Sequence, residues 1–483
     1  MMKKYNEIKG RYVDSVLLMQ ITRELEKSQT VSKVGMMVAT KENLAIFENL
    51  GFEPPADIQS SSILIAVEAE NDEEADKAIK NAIELVDAKV VETPAEKEYE
   101  LEEIKSTIQY DDFPVLFIST PGQYVKDIAL KGLEQGANLH IFSSNVPLET
   151  EVMLKNKGME KGLLVMGPDA GTSIINGKGL GFSNSVKTGK VAVIGSSGTG
   201  IQELTVLLDR GGLGISAAIG VGSNDLSKEV GAIVTKQAIE RLKDAAMLII
   251  IAKRPDQEVK KQIIQLISGK PSVFISLGDN KTYNEGKTFV TGYIDDAVNY
   301  ALKALGKQEL AQTSIEEKFD LADRKLLRGY FVGGSLCYQA QAILQGSGVY
   351  SNGPADPKFS LPSDWRNLNV CIDTGAEEYV KGKPHPMIDP KARNSMIVEE
   401  SKRTDVAVIL FDVMLGYGSS MEPVEGLEDV NKGPVLVASI CGTEKDEQDF
   451  KKVKVGLEKI GAKVFSSAGQ AAKFAAKLIG GLS

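Results

Sequence analysis

The sequence predicts an α/β protein with a small N-terminal α/β domain, a short strand–helix–strand unit and two copies of a doubly wound domain. Apolar runs typical of buried strands alternate with amphipathic helical segments, as expected for parallel sheets. A strand followed by a Gly/Ser-rich turn and a helix occurs twice in the C-terminal part of the chain. The 46 glycines cluster in short loops after apolar runs, which supports repeated strand–loop–helix connections.

Four domains are predicted, and their boundaries are 1–110, 111–187, 188–312 and 313–483. In the first domain, KVGMMVAT and SSILIAVEAE indicate strands and NDEEADKAIKNAIELV indicates an amphipathic helix. The second domain contains the strand FPVLFIST, a helix over YVKDIALKGLEQG and the strand NLHIFSS. That order is typical of two parallel strands joined by a crossover helix.

The third and fourth domains repeat one pattern, with a shift of 138 residues between Ser197 and Ser335. The first copy begins with KVAVIGSSGTGIQEL and the second with RGYFVGGSLCYQAQAIL. Four later strands match in the same order, among them AAMLIIIAKR with DVAVILFDVML. A repeat of this length indicates a domain duplication, because solenoid repeats are about 20–50 residues long. Each copy is expected to be a flavodoxin-like, doubly wound sheet that binds ligands at the carboxyl ends of its strands.

Composition narrows the class of protein. The net charge of −10 and the pI of about 5.2 argue against nucleic acid or an anionic membrane as the main partner. The three cysteines are widely spaced and odd in number, so the sequence predicts no disulfide framework and no metal site. The N-terminus has no apolar signal core, and no apolar run approaches the ~18 residues that span a bilayer. These features predict a cytoplasmic protein.

The two Gly/Ser loops are expected to bind a phosphate. At a helix N-terminus, free backbone N–H groups and the helix dipole favour an anion. If the two copies pack face to face, two helices converge on one phosphate. Taken alone, each loop also fits a simple turn with a capping serine. The candidates are Ser196, Ser197, Gly198 and Thr199 in the first copy and Gly333, Gly334 and Ser335 in the second.

Other candidate residues lie in loops at strand ends. His385, in KGKPHPMIDP, is predicted to act as a catalytic acid or base, although a histidine bonded to backbone also fits. His140, inside the strand NLHIF, is expected to be structural. Cys337 lies in a first helical turn, where its thiol is either activated or buried and inert. Acids and amides at strand ends could bind an amide or an amine, or merely cap helices: Asn224, Asp225, Asp373, Glu377 and Asp412. Lys253 and Arg254 could hold a carboxylate or form a solvated basic pair.

Several motifs resemble those of a known superfamily. MGPDAG and TGKVAVIGSSGTGIQEL…GVGSND resemble the α subunit of succinyl-CoA synthetase and its NDP-forming acyl-CoA synthetase relatives. FVGGSLCYQAQAIL…CIDTGAEE resembles the C-terminal lobe of the β subunit. With PHPMIDP and LFDVMLGYG, the chain from about residue 113 is similar to the FdrA protein family. The resemblance implies a truncated Rossmann-like, CoA-binding-type domain at 111–187, followed by two ligase lobes.

The resemblance to FdrA proteins implies a transferase subunit that moves a carbamoyl group between carbamoyl phosphate and an amide such as oxamate in allantoin (purine) catabolism. The histidine loop of the synthetases is absent, because the corresponding segment reads KTYNEGKTFVTG. No segment resembles an ATP-grasp domain, and the sequence fingerprint for CoA binding is incomplete. No cofactor is therefore expected, although CoA binding stays open. The implied partners are a small phosphorylated metabolite, an amide or carboxylate substrate and further protein subunits, and a homo-oligomer is allowed.

Two alternatives stay open. The first is an ADP- or GDP-forming acyl-CoA synthetase that works with a separate nucleotide-binding subunit and phosphorylates a histidine, for which His385 would have to serve. The second is a non-catalytic subunit that keeps the phosphate site as a sensor.

Overall fold

The computed structural model describes residues 2–9, 13, 15–26, 28, 30–55, 58, 62–89, 113–317, 319–321, 324–380 and 383–480. Its contacts divide the chain into two compact units. The first comprises Met1–Glu100 and Val380–Asp389, and the second comprises Leu101–Tyr379 and Pro390–Ser483. Within the described ranges, no helix has the length and apolarity needed to cross a membrane.

The first unit is an antiparallel sheet in the order β1-β3-β2, covered by helices. Side chains alternate across β3, so Ile65 and Val67 join one apolar cluster whereas Leu64 and Ala66 join another. The fold class predicted for this domain is confirmed. Its elements are β1 (Met2–Ile8), α1 (Ser15–Leu25), β2 (Val31–Val38), α2 (Lys41–Asn49), β3 (Ile63–Ala69) and α3 (Asp72–Lys89).

The described part of the second unit begins with the predicted strand–helix–strand motif, which forms a three-stranded parallel sheet in the order β4-β5-β6. His140 on β5 is fully buried beside Phe117, with ring centroids 5.0 Å apart. Burial lowers the pKa of His140 to about 3, so the ring is neutral at physiological pH. The elements are β4 (Val115–Ile118), α4 (Gly122–Glu134), β5 (Asn138–Ile141), α5 (Leu148–Glu160) and β6 (Val165–Met166).

The first lobe contains five parallel strands in the order β10-β9-β11-β12-β14. A hairpin of β7 and β8 pairs antiparallel with the edge strand β10, so strand pairing extends this sheet upstream of residue 188. The elements are β7 (Thr172–Ile175), β8 (Lys178–Gly181), β9 (Thr188–Gly195), α6 (Gly198–Arg210), β10 (Ile215–Gly220), α7 (Ile233–Arg241), β11 (Met247–Lys253), α8 (Gln257–Ile267), β12 (Ser272–Leu277), β13 (Tyr283–Glu285), β14 (Thr288–Thr291) and α9 (Ile294–Ala304).

The second lobe repeats the same topology in five parallel strands, ordered β16-β15-β17-β18-β19. The order second-first-third-fourth-fifth is that of flavodoxin-like sheets, and the predicted duplication is confirmed. The elements are β15 (Leu326–Phe331), α10 (Gly334–Ile343), β16 (Val370–Asp373), α11 (Glu377–Val380), α12 (Lys391–Ser401), β17 (Val406–Met414), β18 (Val435–Cys441), α13 (Phe450–Lys459), β19 (Lys463–Phe465) and α14 (Ala468–Gly480).

The helix starts fix the register between the two lobes. Ser197 is the N-cap of α6 and Gly333 is the N-cap of α10, so equivalent residues lie 136 positions apart, as Thr199 and Ser335 do. The predicted shift of 138 is therefore wrong by two residues. It aligned the two serines by residue type, whereas the backbone aligns the two helix starts.

Reciprocal capping holds the two lobes together. The Glu203 carboxylate on α6 accepts a hydrogen bond from Ala468 N, at the start of α14, over 2.8 Å. The equivalent residue on α10, Gln339, accepts one from Ile294 N, at the start of α9, over 2.8 Å. The first helix of each lobe thus caps the last helix of the other. Such reciprocity is the signature of a two-fold interface, here within one chain.

A buried ion-pair network joins α5 to the loop after β10. The Lys155 ammonium donates to Glu151 over 2.7 Å, to Asp225 over 2.9 Å and to the Val221 carbonyl over 2.9 Å. Lys155, Glu151 and Asp225 are essentially inaccessible to solvent. Asp225 also accepts hydrogen bonds from the backbone and hydroxyl of Thr235, over 2.9 and 2.7 Å, and so fixes the start of α7.

Removing the cation of this network is expected to destabilise the second unit strongly. Lys155→Met leaves two buried carboxylates without their counter-charge, which costs about 3–5 kcal/mol. Lys157→Met is the matched control, because its ion pair with Glu134 is long at 3.9 Å and exposed, and it should cost less than about 1 kcal/mol. Urea denaturation of both variants measures the difference. A loss below 1 kcal/mol in Lys155→Met would contradict the expectation.

Stability is also expected to depend on pH through Glu203. Burial raises the pKa of this carboxyl from an ordinary 4.5 to about 7, and the nearby Asp295 adds to the rise. Because the folded state prefers the proton, the stabilisation is complete below pH 4.5 and is lost as pH rises through 7. Glu203→Gln keeps the acceptor for Ala468 N and removes the titration. It should therefore exceed the wild type by about 3 kcal/mol at pH 8 and match it at pH 4.5.

Unfolding midpoints measured from pH 4.5 to 8 test this expectation. Glu229→Gln is the control, because Glu229 lies exposed in the same lobe. Parallel pH profiles for Glu203→Gln and the wild type would show that Glu203 does not titrate in this range.

Candidate functional site

The first Gly/Ser loop connects β9 to α6 at the carboxyl edge of its sheet. The Ser196 N–H continues the strand pairing and donates to the Ile251 carbonyl over 3.0 Å. Ser197 adopts an extended backbone conformation and its hydroxyl accepts from Gly200 N over 3.0 Å, which makes it the helix cap. The N–H groups of Gly198 and Thr199 lie in the first turn, where a helix supplies no acceptor of its own.

The second loop connects β15 to α10 and is held from inside its own lobe. The Asp412 carboxylate on β17 accepts hydrogen bonds from Val332 N over 2.6 Å and from Gly333 N over 2.8 Å. Gly334 lies against Asp373, and a Cβ at this glycine would stand 2.3 Å from the Asp373 Oδ2 atom. A larger residue at Gly334 would displace the Asp373 carboxyl, and part of the loop's donor capacity is already used by the protein.

The two loops meet at their serines. The Ser197 hydroxyl donates to the Ser335 hydroxyl over 2.5 Å, and Ser335 N donates to the Thr199 hydroxyl over 3.4 Å. Equivalent residues touch across a two-fold interface only near its axis, so the axis passes beside Thr199 and Ser335. Ser197 and Ser335 are nearly buried, whereas Gly198, Thr199 and Gly334 keep partial exposure. The N-termini of α6 and α10 thus face the same site.

Two carboxyl groups border this place on the side of the second lobe. Burial raises the pKa of Asp373 and of Asp412 above the usual range of an aspartate. Hydrogen bonds partly oppose this effect, from Gly375 N to Asp373 and from two loop N–H groups to Asp412. Arg393 lies close to Asp412, with its guanidinium 2.6 Å from the Asp412 carbonyl. The nearby cations Lys253 and Arg393 also oppose the rise, at Asp373 and Asp412 respectively.

Lys253 is the last residue of β11, and Arg254 follows it at the same edge of the first lobe. The Lys253 ammonium lies 5.2 Å from the centre of the Tyr338 ring, and the Arg254 guanidinium lies 5.0 Å from it. Arg254 also donates to the Tyr338 hydroxyl over 3.0 Å and to the Pro354 carbonyl. Tyr338 is one helical turn beyond Ser335, so it brings both cations beside the start of α10.

The remaining candidates for substrate binding lie in different surroundings. Asn224 is exposed and donates to Glu151 over 3.0 Å. Asp225 is fully buried in the network with Lys155, so its contacts give it a structural role. Glu377 is exposed in the first turn of α11. Substrate binding by these three residues, and by Arg254 and Asp373, stays a prediction.

His385 belongs to the first unit, in the segment Val380–Asp389. Its Nδ1 atom accepts a hydrogen bond from Met387 N over 3.2 Å, and its carbonyl accepts from Ile388 N over 2.8 Å. Arg23 on α1 holds the segment through the Ile388 carbonyl, over 3.1 Å. Burial lowers the pKa of His385 to about 4, so the ring is neutral at pH 7. Its catalytic role stays a prediction.

Cys337 is buried in α10, which agrees with the alternative that its thiol is buried and inert. Its Sγ atom accepts a weak hydrogen bond from Gln341 over 3.5 Å, and burial raises the pKa of the thiol well above its usual value. The helix start therefore does not activate it, and a protonated thiol is a poor nucleophile. Tyr338 is not among the residues predicted from the sequence. Its position three residues after Ser335, one helical turn further along α10, is the sequence feature that could have indicated it.

Three family models match different parts of the chain. Residues 330–478 match the CoA-ligase family, and residues 186–278 match the CoA-binding domain family. The CoA-binding match covers most of the first lobe and overlaps the predicted CoA-binding-type domain, 111–187, by only two residues. These matches favour the acyl-CoA synthetase alternative over carbamoyl transfer, which none of the reported comparisons supports. They also do not confirm the resemblance to FdrA proteins.

The third match covers residues 1–102 and is described as AllF, heavy metal-associated domain. Soft heavy metals prefer thiolate, thioether and imidazole ligands. Residues 1–102 contain neither cysteine nor histidine, since the chain's cysteines are Cys337, Cys371 and Cys441 and its histidines are His140 and His385. Residues 1–102 therefore offer a soft metal ion no thiolate and no imidazole, and methionine thioethers are the soft donors that remain.

Solved structures with distant similarity include the dinucleotide-forming acetyl-coenzyme A synthetase 1 of Ca. Korarchaeum cryptofilum. It is 16% identical, with a TM-score of 0.33, and the match covers 80% of this chain and 86% of that one. PH0766 from Pyrococcus horikoshii OT3 is also 16% identical, with a TM-score of 0.31 and coverage of 77% and 85%.

A closer relative spans nearly the whole chain. The uncharacterized protein YahF of Escherichia coli (strain K12) is 33% identical over 454 residues, which cover 90% of this chain and 88% of YahF. The similarity therefore includes the first unit as well as both lobes. At this identity and coverage, the chain belongs to the same family as YahF.

Proposed function

We propose that the chain is a subunit of a ligase-type enzyme of the acyl-CoA synthetase kind, which binds an acyl phosphate at the paired starts of α6 and α10. Transfer of the acyl group to the thiol of CoA is the reaction that the CoA-ligase and CoA-binding matches favour. The observation that carries the proposal is the 2.5 Å contact between the Ser197 and Ser335 hydroxyls.

The geometry supports a site for the phosphoryl group. The first turn of α6 offers the N–H groups of Gly198 and Thr199, and hydroxyls of Ser197 and Ser335 lie beside them. When the acyl–oxygen bond breaks, negative charge grows on the departing phosphate. Fixed N–H dipoles and hydroxyls aimed at that charge lower the barrier without reorganisation.

The distribution of histidines favours direct transfer from the acyl phosphate. Between residues 141 and 384, and again from 386 to the end, the sequence contains no histidine. His140 is buried in β5 and His385 belongs to the first unit. The lobes therefore offer no imidazole on which to store a phosphoryl group. In the proposed step the CoA sulfur attacks the acyl carbon, the carbon–oxygen bond breaks, and the thiol proton ends on phosphate.

Carbamoyl transfer is the second candidate, and the absence of a histidine from the lobes favours it as well, since carbamoyl phosphate arrives already activated. The chain, alone and together with the proteins that co-purify with it, is mixed with acetyl, succinyl or carbamoyl phosphate and with CoA or oxamate. Mass spectrometry then detects the acyl-CoA or the carbamoylated amide. Acyl-CoA formation supports the ligase, and a carbamoylated amide supports the transferase. Phosphate binding without either product supports a sensor, and absence of phosphate binding overturns all three.

The serines are expected to be required for phosphate binding. Ser197→Ala and Ser335→Ala each remove a hydroxyl donor to a charged ligand, so each should weaken binding of inorganic phosphate about 10-fold or more. Isothermal titration calorimetry with the full chain measures the affinity. Thr40→Ala is the control, because it also removes a hydroxyl that caps a helix, α2, but in the other unit. Wild-type affinity in both serine variants would contradict the site.

His385 is expected to act as a base rather than an acid at neutral pH. Burial places its pKa near 4, so a rate that depends on the neutral ring should fall as pH drops through 4 and stay level above 5. His385→Asn should lower the transfer rate at least about 10-fold while phosphate affinity stays unchanged. Steady-state rates from pH 4 to 8 test this role, and a full rate in the variant would exclude it.

A further inference from the structure

The two lobes place different residues at equivalent strand ends. Ile250 on β11 pairs with Ile194 on β9, and Phe411 on β17 pairs with Tyr330 on β15. Ile194 and Tyr330 lie 136 positions apart, so Ile250 corresponds to Phe411. Three residues further along, Lys253 in the first lobe corresponds to Met414 in the second, where the side chain is buried and apolar. A cation thus stands at only one of the two equivalent positions.

The acidic groups show the opposite distribution. By the same register, Asp412 of the second lobe corresponds to Ile251 of the first. Asp373 pairs with the last residue of β15, and Gly220 pairs with the last residue of β9, so Asp373 corresponds to Gly220. Both carboxyl groups therefore belong to the second lobe, where Arg393 lies 3.9 Å from the Asp412 carboxylate, and Lys253 belongs to the first. The place where the helices meet is polarised across its two-fold axis.

The acids also occupy the start of α10. The Asp412 carboxylate already accepts the N–H groups of Val332 and Gly333, and Asp373 lies against Gly334. An external anion would meet the carboxyl of Asp373 at that helix, whereas Asp412 is paired with Arg393. At the start of α6, by contrast, no carboxyl group receives the loop N–H groups among the hydrogen bonds of the described residues. The first lobe is therefore the better place for an anion.

Lys253 is positioned to complete that place. Its strand neighbour Ile251 receives the Ser196 N–H, so Lys253 extends beyond the sheet edge next to the α6 loop. The Tyr338 ring supports the ammonium at 5.2 Å. Within the described ranges, no carboxylate oxygen lies within 4 Å of the Lys253 ammonium, although it is near enough to Asp373 and Asp169 to influence them electrostatically.

We infer that Lys253 binds the phosphoryl group of the substrate on the first-lobe side of the site, and that this cation sets the direction in which the acyl phosphate lies. The inference rests on the proposed function, because it assumes that a phosphoryl group enters at Ser197 and Ser335. The acyl group then points toward the second lobe and its two carboxyl groups. Lys253 contributes a specificity that the helix dipoles alone, being similar in both lobes, do not provide.

The test measures inorganic phosphate binding to the full chain by isothermal titration calorimetry at constant ionic strength. Lys253→Met should weaken binding about 10- to 100-fold, and Lys253→Arg should restore most of it, because the charge is kept. Asp373→Asn removes a negative charge beside the site and should strengthen binding about threefold or more. Lys236→Met is the matched control, since Lys236 is an exposed lysine of the same lobe. Thermal unfolding of each variant verifies that it is folded.

The outcomes separate the two proposals. If the wild type binds phosphate and Lys253→Met binds it equally well, the role of Lys253 is overturned and the phosphate site stands. The same holds if Asp373→Asn weakens binding, because the polarity is then reversed. If the wild type and all variants show no phosphate binding, the site itself and the role of Lys253 fail together. Loss in Lys253→Met, recovery in Lys253→Arg and a gain in Asp373→Asn support the inference.

Discussion

Reciprocal capping between the duplicated lobes is the constraint on which the candidate site depends. Glu203 and Gln339 occupy equivalent positions on α6 and α10, and each receives the first N–H group of the other lobe's last helix. This exchange satisfies buried donors that a separate lobe would leave unpaired. It also fixes the axis between the lobes, and the axis brings Thr199 and Ser335 into contact. The site is a consequence of how duplicated domains pack, since neither lobe forms it alone.

Duplication of the lobe produces the geometry of the site, and sequence differences between the two copies produce its distribution of charge. The two helix starts come from the same topology and carry similar dipoles, so a perfectly symmetric site would hold a phosphate without preferring one orientation. The substitutions that break the symmetry concern charge: Lys253 against Met414, and Asp412 against Ile251. Charges and helix dipoles interact strongly with a ligand when they are close to it and little water lies between. These few replacements are therefore enough to distinguish the two ends of an asymmetric ligand.

The sequence predicts the topology well because apolar alternation and Gly/Ser turns are local signals. Relations between distant residues are harder to predict. The shift of 138 followed residue type, and only the helix starts show that Ser335 is equivalent to Thr199. Asp225 has the appearance of an exposed residue at a strand end, but the buried Lys155 requires it as a partner. That the second loop's N–H groups are satisfied by Asp412, eighty positions later, has no local signal at all.

The distribution of histidine determines what such a site can do. An enzyme that stores a phosphoryl group on imidazole needs a strong nucleophile beside the helix starts, and both lobes lack one. A site without that nucleophile holds the phosphoryl group only through N–H groups, hydroxyls and a cation. Binding must then be stronger for the departing phosphate in the transition state than for the intact acyl phosphate, or the site would bind its substrate without accelerating its reaction. An ammonium near a growing negative charge meets this requirement, because its attraction increases as the bond breaks.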